Sequence, residues 1–407
     1  MINTSIYSNT STLSMSNILA RTLRPMLPLL IGAGLVPSFS VAQVSSTLPN
    51  WAFGPFIRPE TSNPVISPDS TTRFYCPMRK EVIDWESNDT FNPAATVKDN
   101  KIYVLYRAED KSGIGIGMRT SRIGLASSED GIKMKRRNKP VMFPGEDSQK
   151  AVEWKGGCED PRVAMTEDGR YVMLYTQWNN DVPRLGVAIS KDLITWKKHG
   201  SIFKTAHNGR FYNEASKSAS IITEMKNGKM VIAKIKGKYW IYWGEHAVYA
   251  ATSTDLVNWT PLLDDSGRLK ELITTRKGFF DSDLTECGPP AVVTDKGILL
   301  LYNGKNRGDA DRDSNYTANS YCAGQVMFDR TDPTKPIARL DKPFFIPEAA
   351  FEKSGQYPAG TVFVEGLVFY KKKWFLYYGC ADSRVAVAIY DPLRQNNNKE
   401  SSSVFHN

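Results

Sequence analysis

Tyr171-Val172-Met173-Leu174-Tyr175-Thr176 is a short apolar run that contains an aliphatic–tyrosine pair, Leu174-Tyr175. A second run, Leu185–Ile189, follows it and leads into Ser190-Lys191-Asp192. Runs of this length, rich in Val, Ile and Tyr, are typical of strands, and very few windows of the chain have a helical period. Ser and Asp hydrogen-bond to their own backbone in turns, so Ser-x-Asp followed by Trp196 predicts a turn and then a new strand. The sequence therefore predicts an all-β fold.

The same pattern recurs along the chain. Ser-x-Asp returns at Ser128-Glu129-Asp130 and Ser253-Thr254-Asp255, and the tyrosines of five aliphatic–tyrosine pairs stand 60 to 75 residues apart. Five similar all-β units predict a five-bladed β-propeller, with four-stranded blades around a central channel. Two β-sandwiches in tandem are the alternative, but no Pro/Gly/Ser-rich linker interrupts residues 90–393. The five pairs are Leu105-Tyr106, Leu174-Tyr175, Ile241-Tyr242, Leu301-Tyr302 and Leu376-Tyr377.

The first 42 residues have the features of a secretory signal peptide. Two arginines and no acid precede the apolar run Met26–Val36, and small residues stand at positions 40 and 42. The run is too short to span a bilayer, and a membrane anchor or a buried helix is the alternative. We expect export to the periplasm or the medium, without membrane insertion once the signal is removed.

The remaining chain is predicted to form one domain. Residues 43–393 would be the propeller, with residues 43–90 as an N-terminal segment that leads into it. Residues 394–407 are polar and read as a C-terminal tail.

Composition argues against several classes of protein. The 52 basic and 43 acidic residues give a net charge of +9, but the densest basic runs, Lys133–Lys139 and Lys371–Lys373, stand where hairpin turns are expected. Solvated turns explain them better than a nucleic-acid surface. Four His and five Cys match no metal-binding spacing, so we expect no metal or cofactor. One or two disulfides remain possible from the cysteine count, but not a disulfide framework.

Charged residues stand beside the apolar runs once in each repeat. The innermost strands of a propeller and the loops that join them open onto the channel, so such residues would meet in one cavity. Paired carboxylates there suit glycoside cleavage, which needs one acid and one base or nucleophile. A surface salt bridge or a turn cap is the commoner role of any one of them, and only the recurrence favours a shared site. These residues are Arg107, Glu109, Asp110, Glu159–Arg162, Lys236, Lys238, Glu245, Glu286, Asp382 and Arg384.

Four segments within about residues 85–392 resemble glycoside hydrolase family 130, a five-bladed propeller family of β-mannoside phosphorylases and β-mannosidases. Gly157-Cys158-Glu159-Asp160-Pro161-Arg162 is the most specific of them. The resemblance implies that Asp160 is the catalytic acid, passing its proton through the mannose 3-hydroxyl to the glycosidic oxygen, and that the reaction inverts. The other segments are Phe91–Ala94, Tyr106–Asp110 and Tyr239–Glu245.

The branch of the family decides between hydrolysis and phosphorolysis. A phosphorylase needs Arg, Lys or His to hold phosphate, whereas a hydrolase needs a carboxylate that deprotonates water. Tyr242–Glu245 and Thr285–Pro290 resemble the hydrolytic, β-1,2-mannosidase-like branch, in which two Glu occupy the phosphate side. This implies Glu245 and Glu286 as the general-base pair, without deciding which contacts the water. His246 would instead suit phosphate.

The resemblance also implies a set of substrate-binding residues. The predicted ligand is a short mannoside oligosaccharide, and no nucleic-acid partner is expected. A β-mannoside phosphorylase that releases mannose-1-phosphate and a noncatalytic sugar-binding propeller are the alternatives. The residues are Asn92, Arg107, Asp110, Lys236 and Asp382 around the sugar, Arg162 to orient Asp160 or reach a hydroxyl, and Arg119 and Glu365 as further candidates.

Two further motifs are predicted to be structural. Gly113-Ile114-Gly115-Ile116-Gly117 looks like half a dinucleotide fingerprint, but no helical pattern follows it, so a hairpin is expected. Asp309–Asn315 has the alternation of a calcium loop without its Gly and its final Glu. A polar loop overhanging the site is the favoured interpretation, with calcium as the alternative.

Overall fold

The computed structural model describes residues 48–393. The predicted signal peptide (residues 1–42) and the predicted tail (residues 394–407) lie outside the described residues. Strands dominate the described part of the chain, and its helices are single turns: α1 (Lys150–Glu153) and two 3₁₀ turns, Ala206–Gly209 and Ala350–Glu352. The all-β prediction is therefore confirmed.

The strands follow one another as a hairpin and then five antiparallel groups. The hairpin is β1 (Phe74–Cys76) and β2 (Glu81–Ile83). The first group is β3 (Asp89–Lys98), β4 (Lys101–Glu109), β5 (Ser121–Ser128) and β6 (Lys135–Arg136), and the second is β7 (Gly157–Met165), β8 (Tyr171–Trp178), β9 (Arg184–Ser190) and β10 (Lys197–Ser201). The third is β11 (Ala219–Lys226), β12 (Lys229–Ile232), β13 (Lys234–Ile235), β14 (Lys238–Trp243), β15 (Ala247–Ser253), β16 (Thr260–Pro261) and β17 (Ile273–Thr274). The fourth is β18 (Leu284–Cys287), β19 (Ala291–Val293), β20 (Ile298–Lys305), β21 (Tyr321–Phe328) and β22 (Pro336–Arg339), and the fifth is β23 (Val362–Tyr370), β24 (Lys373–Cys380) and β25 (Arg384–Tyr390).

The first strand of the first group, β3, joins the two ends of the domain. β3 packs against β7 of the second group and against β23 of the fifth, so the beginning and the end of the domain are neighbours. The N-terminal segment completes the fifth group, because Ile57 and Ile66 form antiparallel bridges to β25 at Ile389 and Val385. The first and last groups are thereby joined, and the stretch that holds Ile57 and Ile66 packs on the fifth group.

The Ser-x-Asp motif forms the same turn at each of its three positions. The Ser128 hydroxyl accepts a hydrogen bond from the amide of Gly131 (2.9 Å), and the Asp130 carboxylate accepts from the amides of Ile132 (2.9 Å) and Lys133 (2.8 Å). Ser190 with Asp192 and Ser253 with Asp255 repeat these contacts. The turn prediction is confirmed.

A buried tyrosine–carboxylate–cation cluster recurs in four of the five groups. In the first, the Tyr106 hydroxyl donates to the fully buried Glu86 (2.7 Å), which also pairs with Arg136. Breaking a buried pair leaves an uncompensated charge, so each cluster ties its outer strand to the segment that carries the carboxylate. In the third group the Tyr242 hydroxyl donates to the Pro333 carbonyl instead (2.8 Å). The other clusters are Tyr175–Glu153–Lys198, Tyr302–Asp281–Arg339 and Tyr378–Glu352–Arg58.

β-Bulges interrupt the first strands of three groups, at Asn92 in β3, at Asp160 in β7 and at Glu365 in β23. Asn92 and Asp160 have positive φ angles of 45° and 47°. A bulge takes a residue out of the two-residue alternation of a strand and re-aims its side chain. These two side chains consequently meet, as described below.

Two other predictions concern chemistry outside the strands. All five cysteines are buried and unpaired, so the cysteine count is not explained by disulfides. Between residues 48 and 393 the structure has no helix long and apolar enough to cross a membrane.

Candidate active site

A cavity of 170 Å³ brings together residues from all around the domain. Five of the predicted site residues line it, and they come from the first, second, fourth and fifth groups. Lys217, which directly precedes the third group, completes the ring of contributors. The five are Asn92, Arg107, Asp160, Glu286 and Asp382.

The Asp160 carboxylate accepts hydrogen bonds from two side chains that are 68 and 53 positions away in the sequence. The Asn92 amide donates to its Oδ1 (2.9 Å), and Nη1 of Arg107 donates to the same oxygen (3.1 Å). Arg107 is itself fixed by two more carboxylates, Glu109 at 2.6 Å and Glu159 at 2.8 Å from Nη2. The buried guanidinium of Arg107 thus forms ion pairs with three carboxylates and fixes the position of Asp160.

The pKa values of neighbouring carboxyls in this cavity are shifted in opposite directions. Burial alone would raise the pKa of Asp160, but the positive charges of Arg107 and Lys217 outweigh it and hold this pKa below its ordinary value. Burial raises the pKa of the adjacent Glu159, and the negative charge of Asp160 adds to this rise. Burial also raises the pKa of Asp382 to about 7. The shifts therefore favour an ionised Asp160, and they make Glu159 and Asp382 the neighbouring carboxyls that take up protons most readily.

A second carboxylate pair is bridged by one lysine. Nζ of Lys217 lies 3.5 Å from Glu286 and 3.4 Å from Glu245, and the Ser218 hydroxyl donates to Glu286. Burial, reinforced by the charge of Glu245 and opposed by that of Lys217, raises the pKa of Glu286. The Glu245 side chain is 34% exposed and does not line the cavity, whereas Glu286 does. Of the two predicted bases, Glu286 is the one that faces the cavity.

Arg162 and Glu365 lie beneath the cavity and do not line it. Arg162 is buried, and its Nη1 donates to the backbone carbonyl of Asp160 (3.0 Å) while its Nη2 donates to that of Cys287 (2.9 Å). The same Nη2 stands 2.9 Å from a carboxylate oxygen of Glu365, in contact but without hydrogen-bond geometry, and burial raises the pKa of Glu365. Arg162 thus contacts the backbone at Asp160, and its two predicted roles, to orient Asp160 or to reach a hydroxyl, stay predictions.

Asp110 and Arg119 stand behind the lining residues. The Asp110 carboxylate accepts from the buried Arg122 (2.9 Å) and from the Ser112 amide (2.9 Å). Arg119 donates to Gln356 and lies 3.5 Å from Glu109, and both of these partners line the cavity. The structure therefore brings Asp110 and Arg119 near the cavity but not into it.

Lys236 is not brought to the cavity, which corrects the sequence-based expectation. It precedes β14 and lines a separate cavity with Lys234 and Arg330, whereas Glu245 follows the other end of β14. Six residues of extended strand separate the two ends by about 20 Å. A charge before a strand and a charge after it lie on opposite faces of the domain, so Lys236 and Glu245 do not meet in one cavity as the sequence had led us to expect.

Several lining residues were not predicted. Lys217 has no apolar run directly before it, but it is followed by Ser218, whose positive φ of 57° is similar to those of Asn92 and Asp160. An aromatic cluster forms another part of the wall, with Tyr321 at 5.3 Å from Tyr357 and 5.8 Å from Phe363 between ring centroids. The register of the first strands is the signal that would have found Lys217.

The residues described here hold no group of three or more His, Cys, Asp or Glu arranged to hold a metal ion. In the Asp309–Asn315 loop, Asp309 pairs with Arg307 and Asp311 pairs with Lys277 (2.8 Å). Gly113–Gly117 belongs to the loop between β4 and β5, and β5 rather than a helix follows it. A cation loop and a dinucleotide site find no support in this geometry.

The chain also matches a known family. The family model described as beta-1,4-mannooligosaccharide phosphorylase, glycoside hydrolase family 130, matches residues 62–393. The chain belongs to glycoside hydrolase family 130. This family-130 protein is thus a carbohydrate-active enzyme, and the resemblance inferred from Gly157–Arg162 is confirmed.

Relatives of this family-130 enzyme include proteins of both activities. A 1,2-beta-oligomannan phosphorylase from Thermoanaerobacter sp. (strain X514) is 34% identical over 77% of this chain and 94% of its own length. A solved structure of a glycosyl hydrolase from Bacteroides ovatus is 61% identical, with a TM-score of 0.83 over 85% of this chain and 96% of that one. Another, from work on family-130 glycoside hydrolases that target beta-1,2 mannosidic linkages in Candida mannan, is 62% identical with a TM-score of 0.84 over 85% and 96%. The propeller prediction is confirmed by these structural neighbours.

Proposed function

We propose that this enzyme is an inverting glycoside hydrolase that cleaves β-1,2-mannosidic linkages in short manno-oligosaccharides. The observation that carries the proposal is the carboxylate pair Glu286 and Glu245, bridged by the single cation Lys217. When both glutamates are ionised, two carboxylates and one ammonium give this cluster a net negative charge, which repels phosphate and suits activation of water. Arg107, the other cation of the lining, is already paired with three carboxylates.

The comparisons support the same choice. The solved structures that share 61% and 62% of their residues with this chain are described as hydrolases. The curated relatives described as phosphorylases share 34% or less. We propose the β-1,2 linkage for two reasons. The solved structure at 62% identity comes from work on hydrolases that target beta-1,2 mannosidic linkages, and two of the relatives are named for β-1,2-linked substrates.

In the proposed reaction Asp160 is the proton donor and Glu286 the base. Asp160 gives a proton to the mannose 3-hydroxyl, which passes its own proton to the glycosidic oxygen as the bond from C1 breaks. Water attacks C1 from the other face, and Glu286 takes its proton. Asp160 must first gain a proton, and its neighbours Glu159 and Asp382, whose pKa values are raised to about 7, are the carboxyls that take up protons most readily.

We further propose that the enzyme acts outside the cytoplasm, after removal of residues 1–42. The support is the basic flank, the short apolar run and the small residues at its end. N-terminal sequencing of the protein recovered from the periplasm or medium is expected to begin after Ala42. Recovery of the full chain from the cytoplasm would contradict export.

The phosphate requirement is the test of the proposed function. Incubated with β-1,2-mannobiose, the enzyme is expected to release mannose at the same rate with and without inorganic phosphate, and proton NMR is expected to show the α-anomer first. Phosphate-dependent release of mannose-1-phosphate would instead establish a phosphorylase. Binding of mannobiose without turnover would establish a sugar-binding protein.

The two glutamates are expected to differ in their effect on the rate. Glu286→Gln should lower kcat by roughly 10²- to 10⁴-fold because it removes the base, and Glu245→Gln should lower it less because Glu245 does not line the cavity. The base must be ionised, so kcat/KM should fall as the pH drops through the pKa of Glu286, which lies above the ordinary carboxyl value of 4.5.

The pH profile of Glu245→Gln gives an independent check on the same assignment. The negative charge of Glu245 raises the pKa of Glu286, so its removal should move the acid limb of kcat/KM to lower pH. A larger rate loss in Glu245→Gln than in Glu286→Gln would reverse the two assignments.

A further inference from the structure

The loop between β4 and β5 presents apolar side chains to solvent. Ile114 is 94% exposed, Ile116 57% and Met118 56%, at alternate positions of the segment Lys111–Met118. Burying apolar surface is favourable, and grouped exposed apolar residues mark binding surfaces more often than scattered ones do.

The base of this loop is tied down by hydrogen bonds. The Ser112 amide donates to Asp110 (2.9 Å), and the Thr120 amide donates to the Ser112 hydroxyl (2.9 Å). The indole of Trp178 donates to the Gly117 carbonyl (2.8 Å). A Cβ on Gly113 would stand only 2.1 Å from the Met118 carbonyl oxygen, so the neck of the loop is closed. The backbone that carries the exposed side chains is therefore held in place.

Only one of the three apolar side chains belongs to the cavity. Ile116 lines it together with Arg107, Asp160 and Glu286, whereas Ile114 and Met118 do not. With a volume of 170 Å³, the cavity lies below the usual 300–1,000 Å³ of pockets that hold drug-sized ligands. Under the proposed function, one sugar unit bound at Asp160 would occupy this space, and the rest of an oligosaccharide would leave it past the rim.

We propose that Ile116 forms a binding subsite at the rim, which contacts the carbon-bound hydrogens of the mannose unit next to the one held at Asp160. This proposal rests on the proposed function, because it takes a β-linked manno-oligosaccharide as the ligand. The substrate is favoured as the occupant because Ile116 is continuous with the lining that carries the catalytic groups. A second copy of the chain seated on the loop is the competing occupant.

The test is a binding measurement that does not depend on turnover. In an Asp160→Asn background, calorimetry with mannose and with β-1,2-mannotriose compares Ile116→Ala with the matched control Ile114→Ala, which alters a more exposed side chain of the same loop. Ile116→Ala is expected to weaken trisaccharide binding about tenfold, at the low end for lost apolar contact in a pocket. It should leave mannose binding unchanged, and Ile114→Ala should change neither.

Three outcomes would overturn the subsite. An equal loss for mannose and trisaccharide would place the effect in the inner site, and no loss in Ile116→Ala would remove the contact. A change of mass in sedimentation that accompanies both loop substitutions would make the loop a subunit contact. Turnover of the unsubstituted enzyme, measured separately, decides the proposed function, since a protein that binds mannotriose without cleaving it would keep the subsite and lose the hydrolase.

Discussion

Asp160→Asn is expected to lower kcat on β-1,2-mannobiose by roughly 10²- to 10⁴-fold, the usual contribution of a positioned acid. Asparagine has the same shape, and its side-chain oxygen can accept from Asn92 and Arg107 as the carboxylate does. The geometry should therefore survive while the proton is lost, so KM should change much less than kcat. Steady-state kinetics separate the two effects.

A substrate with a better leaving group gives a second test of Asp160 as the acid. An aryl β-mannoside whose phenol leaves without protonation needs no acid, so Asp160→Asn should slow its cleavage far less than that of mannobiose. The matched control is Lys236→Ala, which removes a charge at the opposite end of β14 and should leave both rates unchanged. Equal losses on both substrates would show that Asp160 acts by holding the sugar.

Arg107→Met is expected to cause the largest loss of stability, about 3–5 kcal/mol in the free energy of unfolding, together with loss of activity. Arg107 is only 6% exposed and is the common partner of three carboxylates. Without it, these carboxylates remain buried and uncompensated. Methionine keeps most of the length and apolar character of the side chain, so the effect reports the charge.

The loss of stability in Arg107→Met is expected to depend on pH, because Arg107 changes the pKa values of its carboxylate partners. Arg107 lowers the pKa of Asp160 and opposes the rise in the pKa of Glu159, so it favours the ionised forms. Asp160 stays ionised at both pH 8 and pH 5, but the pKa of Glu159 is raised to about 7, so the attraction between Arg107 and Glu159 is present above pH 7 and is lost as the pH falls through that value. Urea unfolding should therefore show a larger difference between variant and parent at pH 8 than at pH 5.

The conservative variant separates charge from shape. Arg107→Lys keeps the charge but loses the planar fork that reaches several carboxylates at once. It should recover part of the stability and less of the activity. An equal stability loss at pH 5 and pH 8 in Arg107→Met would mean that packing, not ion pairing, is what Arg107 provides.

The sequence was sufficient for the features that depend on neighbours along the chain. Ser-x-Asp turns and apolar runs are local, so the all-β fold and its repeat could be predicted. The family motif supplied Asp160, and the structure adds the reason for its place, a bulge in β7 with positive φ. Whether a residue before a strand reaches the cavity depends on the direction of that strand, which is why Lys236 was misplaced.

Features that depend on distant partners could not be predicted. Lys217 is defined as a site residue only by Glu286, 69 positions later, and Glu245. The buried acids of the tyrosine clusters look like ordinary charged residues in the sequence, because Glu86 and its partner Arg136 are 50 positions apart. Burial and pairing are properties of the folded chain, and no local pattern encodes them.

The bulges in β3 and β7 have a consequence for how such an enzyme can diversify. Asn92 and Asp160 stand outside the alternation that fills the sheets, so exchanging their side chains leaves the interior of the blades intact. At these two bulges the scaffold separates the positions of the site's side chains from the positions that fill the sheets.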